Sequence, residues 1–174
     1  GVMLAFRSEA EGGQWLNLDA VELVQMSGRP SDDLGTLAEA SDPTRKVIDD
    51  EDPDCVLTGP WKPSSLLGWD SGPSRYLEAK DAGTATWTPE ISLPGEYKVS
   101  YFKLGRPGNA RAATLPIVHA GGKSAKVLAL TEGGHEWVDC GTYRFEKGRE
   151  GSAVLRGDGT GYLRADAVKF EKVR

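Results

Sequence analysis

Apolar and polar residues alternate over short segments through most of the chain, from residue 46 to residue 172. Residues 96–101 alternate in this way after a Leu93-Pro94-Gly95 turn, which is the spacing of a half-buried β-strand. Further strands are predicted over residues 84–88, 123–130, 137–145, 152–156 and 162–170. Eight or nine strands at this spacing predict an all-β fold, namely an antiparallel β-sandwich of the jelly-roll type.

The first 45 residues differ from this pattern. Residues 1–25 hold two apolar segments around a Gly12-Gly13 turn, and their plan recurs at residues 153–170, where both copies end in Asp-Ala-Val. We interpret residues 1–25 as the last hairpin of a preceding, similar sandwich, the alternative being an added hairpin that shares a common pattern. Residues 26–45 have the composition of a linker, with a short helix predicted over 34–40. The β-sandwich module then occupies residues 46–174.

Composition and charge indicate a globular protein and argue against membrane-spanning and nucleic-acid-binding classes. The chain has 174 residues with 21 Lys and Arg against 26 Asp and Glu, a net charge of −5, and 39% hydrophobic residues, which is typical of a globular protein. No apolar run is long enough to span a membrane, and the acidic balance argues against a nucleic-acid partner. Because the chain starts abruptly at Gly1 with no visible signal peptide, we expect it to be a piece of a longer protein.

A set of short motifs occurs in a specific order along the module. They are VIDDED (47–52), VLTGPW (56–61), ATWTP (85–89), PGEYKV (94–99), WVDCGTYRF (137–145) and ADAVKF (165–170). In this order they resemble the golvesin C-terminal-like domain, over residues 46–171. The resemblance implies a galactose-binding-like β-sandwich, related to carbohydrate-binding modules and appended to secreted bacterial polysaccharide-degrading enzymes. The loop over 109–116 departs from the family spacing by one or two residues.

Trp69 is the aromatic residue that best suits a sugar platform, because it lies in a loop rich in glycine and proline, residues 66–74. A pyranose ring stacks on a flat apolar surface, and polar neighbours bind its hydroxyls. Several arginines near this loop would also suit an acidic sugar. The alternative is that Trp69 folds back on the sandwich as a plug. The predicted ligand-binding residues are Trp69, Asp70, Arg75, Arg106, Asn109 and Arg111.

The densest charge feature is the acidic segment 49–54, whose oxygen ligands would suit Ca²⁺. Asp166 alternates with Val168 and Phe170 along the predicted strand, so its side chain should point to the same, inward face. A carboxylate there needs a cation or hydrogen-bond donors. Sandwiches related to this family carry a structural calcium between the first and last strands. We therefore predict a calcium site at Asp49, Asp52 and Asp166, with a solvated acidic turn as the alternative.

The only cysteines are Cys55 and Cys140. An even count in a secreted protein favours a disulfide between them, and two buried free thiols are the alternative. No catalytic motif is recognisable: residues 68–72 lack the serine of a nucleophile elbow, and the glycines of 157–161 lack the spacing of a dinucleotide loop.

The function predicted from the sequence is non-catalytic carbohydrate binding by an accessory module of a secreted bacterial polysaccharide-degrading enzyme. Its partners would be a polysaccharide and the covalently linked catalytic domain, with neither nucleic acid nor membrane. Weak affinity suffices for such a module, because the tether raises the effective concentration. The alternatives are a structural spacer that packs against a neighbouring domain and, more remotely, a small hydrolase.

Overall fold

The computed structural model describes residues 42–173. The hairpin predicted over residues 1–25 and the helix predicted over 34–40 lie outside this range. Within it, no helix is long and apolar enough to cross a membrane.

Residues 42–173 form twelve short strands and a single 3-10 turn over Trp69–Ser71. The strands are β1 (Arg45–Ile48), β2 (Cys55–Thr58), β3 (Lys62–Pro63), β4 (Arg75–Leu77), β5 (Thr84–Trp87), β6 (Gly95–Leu104), β7 (Ala113–His119), β8 (Gly122–Leu128), β9 (His135–Phe145), β10 (Ser152–Arg156), β11 (Leu163–Ala165) and β12 (Val168–Lys172).

The strands form two main sheets and one small sheet. Sheet 1 has the order β1-β12-β6-β9, sheet 2 the order β2-β5-β10-β7-β8, and the small sheet the order β11-β4-β3. Every strand pairing within them is antiparallel. The core is formed by alternate residues of the facing strands, with Tyr97 and Val99 of β6 buried with Trp87 of β5 and Leu155 of β10. The predicted all-β, antiparallel sandwich is confirmed.

The segment predicted as one strand over 162–170 is two strands in different sheets. β11 belongs to the small sheet and β12 to sheet 1, and the break falls at Asp166 and Ala167. There the Asp166 carbonyl accepts the Trp87 indole N–H at 3.1 Å, and the Ala167 carbonyl accepts the Phe102 N–H at 2.8 Å. These bonds satisfy the two backbone carbonyls at the break, which helps the chain to change sheets inside the protein.

The predicted disulfide between Cys55 and Cys140 is not formed, and both residues are free thiols. Cys55 lies on β2, an edge strand of sheet 2, whereas Cys140 lies on β9, an edge strand of sheet 1 that contacts β7 at the far side of sheet 2. The two strands are therefore not neighbours, as the prediction required. Burial raises the pKa of the Cys55 thiol to about 12 and that of Cys140 to about 11, so both stay protonated.

Candidate functional site

Three carboxylates meet where β1 ends and β12 begins, and we call Asp49, Asp50 and Asp166 the acidic cluster. Ile48, the last residue of β1, pairs with Val168, the first residue of β12. This register places the residues after β1 beside the residue two positions before β12. One oxygen from each of the three carboxylates lies within 4.8 Å of the others.

Two of these carboxylates are enclosed and incompletely paired. The Asp50 side chain has no exposed area, and neither of its oxygens accepts a hydrogen bond. Its nearest cation is Arg75, whose Nε lies 3.3 Å from Asp50 Oδ2, at ion-pair distance but without hydrogen-bond alignment. Asp166 is fully buried, and its Oδ2 accepts the Trp69 N–H at 2.9 Å while its Oδ1 has no partner.

Burial dominates the electrostatics of the acidic cluster. It raises the pKa of Asp50 to about 8, and the neighbouring Asp49 carboxyl adds to the shift while Arg75 opposes it. Burial likewise raises the pKa of Asp166 to about 7, opposed by the hydrogen bond from the Trp69 N–H. Without a cation, both groups therefore hold protons through part of the neutral range.

The cluster overlaps the predicted calcium ligands without matching them fully. Asp49 and Asp166 come together as predicted, but Asp50 takes the third place. Asp52 instead accepts the Asp49 backbone N–H at 2.8 Å and closes the turn after β1. Asp50 has the same strand parity as buried Ile48, a sequence signal that would have identified it.

The residues of the acidic cluster suit a hard cation. Carboxylate oxygens are the ligands that Ca²⁺ prefers, and the three buried oxygens that accept no hydrogen bond need either protons or a cation. The backbone of Gly68 closes one side, since a Cβ built there would lie 2.3 Å from Asp166 Oδ1.

A second feature, an open cavity of about 380 Å³, lies beside the small sheet. We call it the tyrosine–arginine cleft; it is lined by Ser65, Tyr76, Arg106, Pro107, Tyr162 and Arg164. Arg164 of β11 pairs directly with Tyr76 of β4. Tyr162 immediately precedes β11, and its ring meets that of Tyr76 edge-on with centroids 5.6 Å apart.

The Arg164 guanidinium is fixed at the base of the cleft. It is 9% exposed, and its Cζ lies 5.3 Å from the centroid of the Tyr76 ring and 5.7 Å from that of Tyr162. Its Nε donates to Asn109 Oδ1 at 3.1 Å and its Nη1 to Ser64 Oγ at 2.9 Å. Asn109 is itself held, because its Nδ2 donates to the carbonyls of Leu104 and Leu130. The charge is therefore oriented by neutral groups.

The rim of the cleft is a tight turn that follows β6. The Asn109 N–H donates to the Arg106 carbonyl at 3.2 Å, with Pro107 and Gly108 between them. Gly108 has a φ of +91°, which the third residue of a type II turn requires. Two backbone hydrogen bonds of 2.9 Å join this turn to Tyr162, so the rim and the aromatic wall form one unit.

The six predicted ligand-binding residues fall in different places. Arg106 lines the cleft and Asn109 supports Arg164 beneath it. Arg75 pairs with Asp50 and Glu51, so it belongs with the acidic cluster. Asp70 and Arg111 are exposed and line no part of the cleft.

Trp69 lies half-buried against sheet 1 and does not line the cleft. Its ring is edge-on to Trp137 of β9 at 6.2 Å, and Trp137 in turn contacts Phe102 of β6 at 5.1 Å. The turn that carries Trp69 has left-handed backbone at Asp70, with a φ of +52°. Trp69 is thus part of an aromatic cluster, and its role in ligand binding stays a prediction.

Sequence reasoning missed Tyr76, Tyr162 and Arg164 as site residues. Tyr162 and Arg164 lie in the strand predicted over 162–170, and Tyr76 lies outside the predicted strands. Only the pairing of β4 with β11 brings them together, and the small sheet was not predicted. Arg106 and Asn109 were the sequence predictions that fall at this site.

Comparison with known proteins agrees with the architecture. The model of the family described as Golvesin C-terminal domain matches residues 46–172. A xanthan lyase from Bacillus sp. (strain GL1) is 32% identical over 136 residues, covering 73% of this chain and 14% of the lyase. The structure of a Paenibacillus xanthan lyase matches with a TM-score of 0.71 and 26% identity, over 76% of this chain and 13% of that chain.

The structure of the Podospora anserina GH26-CBM35 β-(1,4)-mannanase matches with a TM-score of 0.57 and 13% identity, over 76% of this chain and 28% of that chain. This likeness concerns the fold alone and agrees with the predicted β-sandwich. The chain spans a small part of each of these relatives. The family match covers nearly the whole β-sandwich, and the resemblance read from the motifs is confirmed: the chain belongs to the Golvesin C-terminal domain family.

Proposed function

We propose that this chain is a non-catalytic carbohydrate-binding module of a secreted bacterial polysaccharide-degrading enzyme, and that saccharide binds in the tyrosine–arginine cleft. The observation that carries the proposal is the cleft itself, in which two tyrosine rings flank a fixed guanidinium. The relationship to a segment of the xanthan lyases supports an accessory role beside a catalytic domain.

The cleft has the chemistry that sugar recognition needs. Tyr162 is 42% exposed as a residue, and its ring offers an apolar surface to the C–H face of a pyranose. The hydroxyl groups of Tyr76 and Ser65 and the guanidinium of Arg106 supply hydrogen-bond partners for the sugar hydroxyls. Because the rim turn and Arg164 are already held by hydrogen bonds, little ordering accompanies binding.

Further depressions adjoin the cleft. Tyr162 also lines a cavity of about 310 Å³ with Gly161 and Glu78. Those two residues in turn line a cavity of about 410 Å³ that reaches Arg156. Successive depressions with shared walls suit a chain of several sugar units, as expected for a module that binds a polymer.

The carboxyl groups of residues 42–173 support a non-catalytic role. A glycosidase needs a carboxylic acid with a raised pKa that touches the glycosidic bond. Within the described range, the carboxyl groups with raised pKa are Asp50 and Asp166, whose side chains are buried away from solvent.

We also propose that the acidic cluster holds a structural Ca²⁺ through Asp49, Asp50 and Asp166. A bound cation would neutralise the charge of the three carboxylates. The fold positions the ligands: the β1–β12 register brings Asp49 and Asp50 beside Asp166. Gly68, which has no side chain, lets the backbone approach Asp166 closely.

The alternative function is a structural spacer that docks on a neighbouring domain. Docking surfaces are contiguous and apolar. Val56 and Val127, which are 57% and 61% exposed, lie on the opposite edge strands of sheet 2, which does not favour one such surface.

Affinity electrophoresis through gels that contain neutral or acidic polysaccharides, with Ca²⁺ and with EDTA, tests the binding function. We expect at least one polysaccharide to retard the chain, and Tyr162→Ala to abolish the retardation. Trp69→Ala is the matched aromatic variant at the other candidate platform, and it should retain the retardation. Loss with Trp69→Ala alone would move the site to the aromatic cluster on sheet 1. No retardation in any gel would favour the spacer.

A further inference from the structure

The tyrosine–arginine cleft contains two positive charges without a negative one. Within residues 42–173, no carboxylate lies within 4.0 Å of the guanidinium of Arg164 or Arg106, although other arginines of this range, such as Arg75 and Arg149, are paired. The hydrogen-bond acceptors around Arg164 are an amide oxygen and a hydroxyl. The guanidinium is thus oriented but not neutralised.

A nearly buried cation with only neutral partners is costly, because burial removes most of its hydration. Burial lowers the pKa of Arg164, and the positive charge of Arg106 lowers it further. The two arginines therefore repel each other across the cleft. An anion placed between them would relieve this repulsion and would recover part of the cost of burial.

We propose that the tyrosine–arginine cleft selects a carboxylate-bearing sugar, of the uronate type, within an acidic polysaccharide. This inference rests on the proposed function, which it narrows to one class of saccharide. The free N–H groups of Arg164 donate to the sugar carboxylate at the base of the cleft, and Arg106 supplies the second charge at the rim. Tyr162 covers the ring of the same sugar.

A planar carboxylate matches the planar guanidinium fork, which is why arginine suits this site better than lysine would. General attraction between the protein and a polyanion does not explain such binding, because the chain carries a net charge of −5. Any preference for acidic polysaccharides must therefore arise from a local site, and it should weaken as salt is added.

The test compares two polymers with the same sugar backbone: polygalacturonate, whose carboxyl groups are charged, and its methyl-esterified form, whose carboxyl groups are not. Affinity electrophoresis and titration calorimetry of the whole chain give the ratio of the two affinities. Two variants each remove one exposed arginine charge: Arg106→Gln inside the cleft, and Arg45→Gln on β1 as the matched control. Arg164→Lys keeps the charge at the base but removes the fork.

We expect polygalacturonate to bind at least about tenfold more tightly than its ester, in keeping with one charge-assisted interaction. Arg106→Gln should reduce binding of polygalacturonate by about three- to tenfold, and Arg45→Gln should leave it unchanged. Arg164→Lys should remove most of the preference, and its thermal unfolding curve reports whether it is folded. If Arg164→Lys does not fold, the affinities of Arg106→Gln and Arg45→Gln for polygalacturonate still test the proposal.

The outcomes separate this inference from the proposed function. Equal binding of the ester and the acid, lost in Tyr162→Ala but unaffected by Arg106→Gln, would overturn the acidic class and leave the carbohydrate-binding function intact. An equal effect of Arg45→Gln and Arg106→Gln would also overturn it, since the attraction would then be non-specific. If neither these polymers nor the neutral polysaccharides bind, the proposed function fails, and this inference fails with it.

Discussion

Arg164 and Asp166 are two residues apart and both are buried, but their charged groups have different surroundings. Arg164 is oriented by hydrogen bonds from its own N–H groups and remains at the base of an open cleft. Asp166 is enclosed, and its Oδ1 accepts no hydrogen bond. Beside it lies Asp50, whose two oxygens also accept none. The same short stretch therefore contributes a cation that faces a cavity and an anion that is sealed inside.

The difference indicates two kinds of uncompensated charge. A charge whose position is fixed, and which solvent can reach, is ready for a ligand that comes and goes. A charge that is enclosed and unsatisfied must take up a proton or hold an ion that stays with the fold. The following predictions test this contrast.

The pH dependence of stability should show the largest effect. In EDTA, the free energy of unfolding should fall by a few kcal/mol as the pH rises from 5 to 8.5. In the unfolded chain, aspartate carboxyls ionise near their ordinary pKa of 3.8, whereas in the folded state burial raises the pKa values of Asp50 and Asp166 to about 8 and about 7. The folded state thus binds more protons in this window, and stability is lost as pH rises through it.

Urea denaturation across this pH range measures the effect. Asp50→Asn should make the profile shallower, because an amide does not titrate, and should leave the part that arises from Asp166. A profile of the unaltered protein that is already flat in EDTA would mean that the acidic cluster is better solvated than the structure indicates.

Calcium should reverse that loss. At a free Ca²⁺ concentration of 100 times its Kd, the folded state should gain about 2.7 kcal/mol, which raises Tm by roughly 10 °C. Differential scanning calorimetry at pH 8 with Ca²⁺ or EDTA measures the shift. Asp50→Asn should abolish most of it, and Asp52→Asn serves as the control, because Asp52 lies in the turn but outside the cluster. A shift lost only in Asp52→Asn would restore the ligand set predicted from the sequence.

Gly68→Ala should destabilise the protein by about 2 kcal/mol. The added Cβ would lie 2.3 Å from Asp166 Oδ1, so the carboxylate must move and weaken its bond to the Trp69 N–H. Gly134→Ala is the matched control, since a Cβ there meets no atom within 4 Å. Equal Tm values for the two variants would show that the backbone at Gly68 is free to move away.

Tyr162→Ala should have the smallest effect on stability and act on binding instead. Tyr162 is 42% exposed, so removal of its ring should change the free energy of unfolding by less than about 1 kcal/mol. Loss of the stacking surface should weaken saccharide binding by about fivefold or more. Parallel calorimetry of unfolding and binding checks this, and a large loss of stability would place Tyr162 in the structural framework of the cleft.

The sequence predicted the strands better than the sites. β10 was predicted at its observed bounds, since its alternation is regular and its ends are marked by glycines. The burial of Asp166 followed from parity with Val168 and Phe170, but the change of sheet at this residue did not, because hydrogen bonds from Trp87 and Phe102 cause it.

The cleft was predicted least well. Arg106 and Asn109 were named from their loop, yet Tyr76 and Arg164 become neighbours only by pairing across the two strands of the small sheet. Local pattern carries no information about which short strands pair. The same limit explains the disulfide, because whether the strands of Cys55 and Cys140 are adjacent depends on the order of strands in the two sheets.

The pairing of β1 with β12 has a mechanical consequence. Arg45 lies opposite Glu171, and the Lys172 N–H bonds to the Thr44 carbonyl, so the two ends of the described chain leave the sandwich side by side. A force that pulls the two ends apart would break the β1–β12 residue pairs one after another, beginning with Arg45 and Glu171. The last residue pair to separate, Ile48 with Val168, is next to the acidic cluster. An ion bound there would therefore resist the separation of β1 from β12.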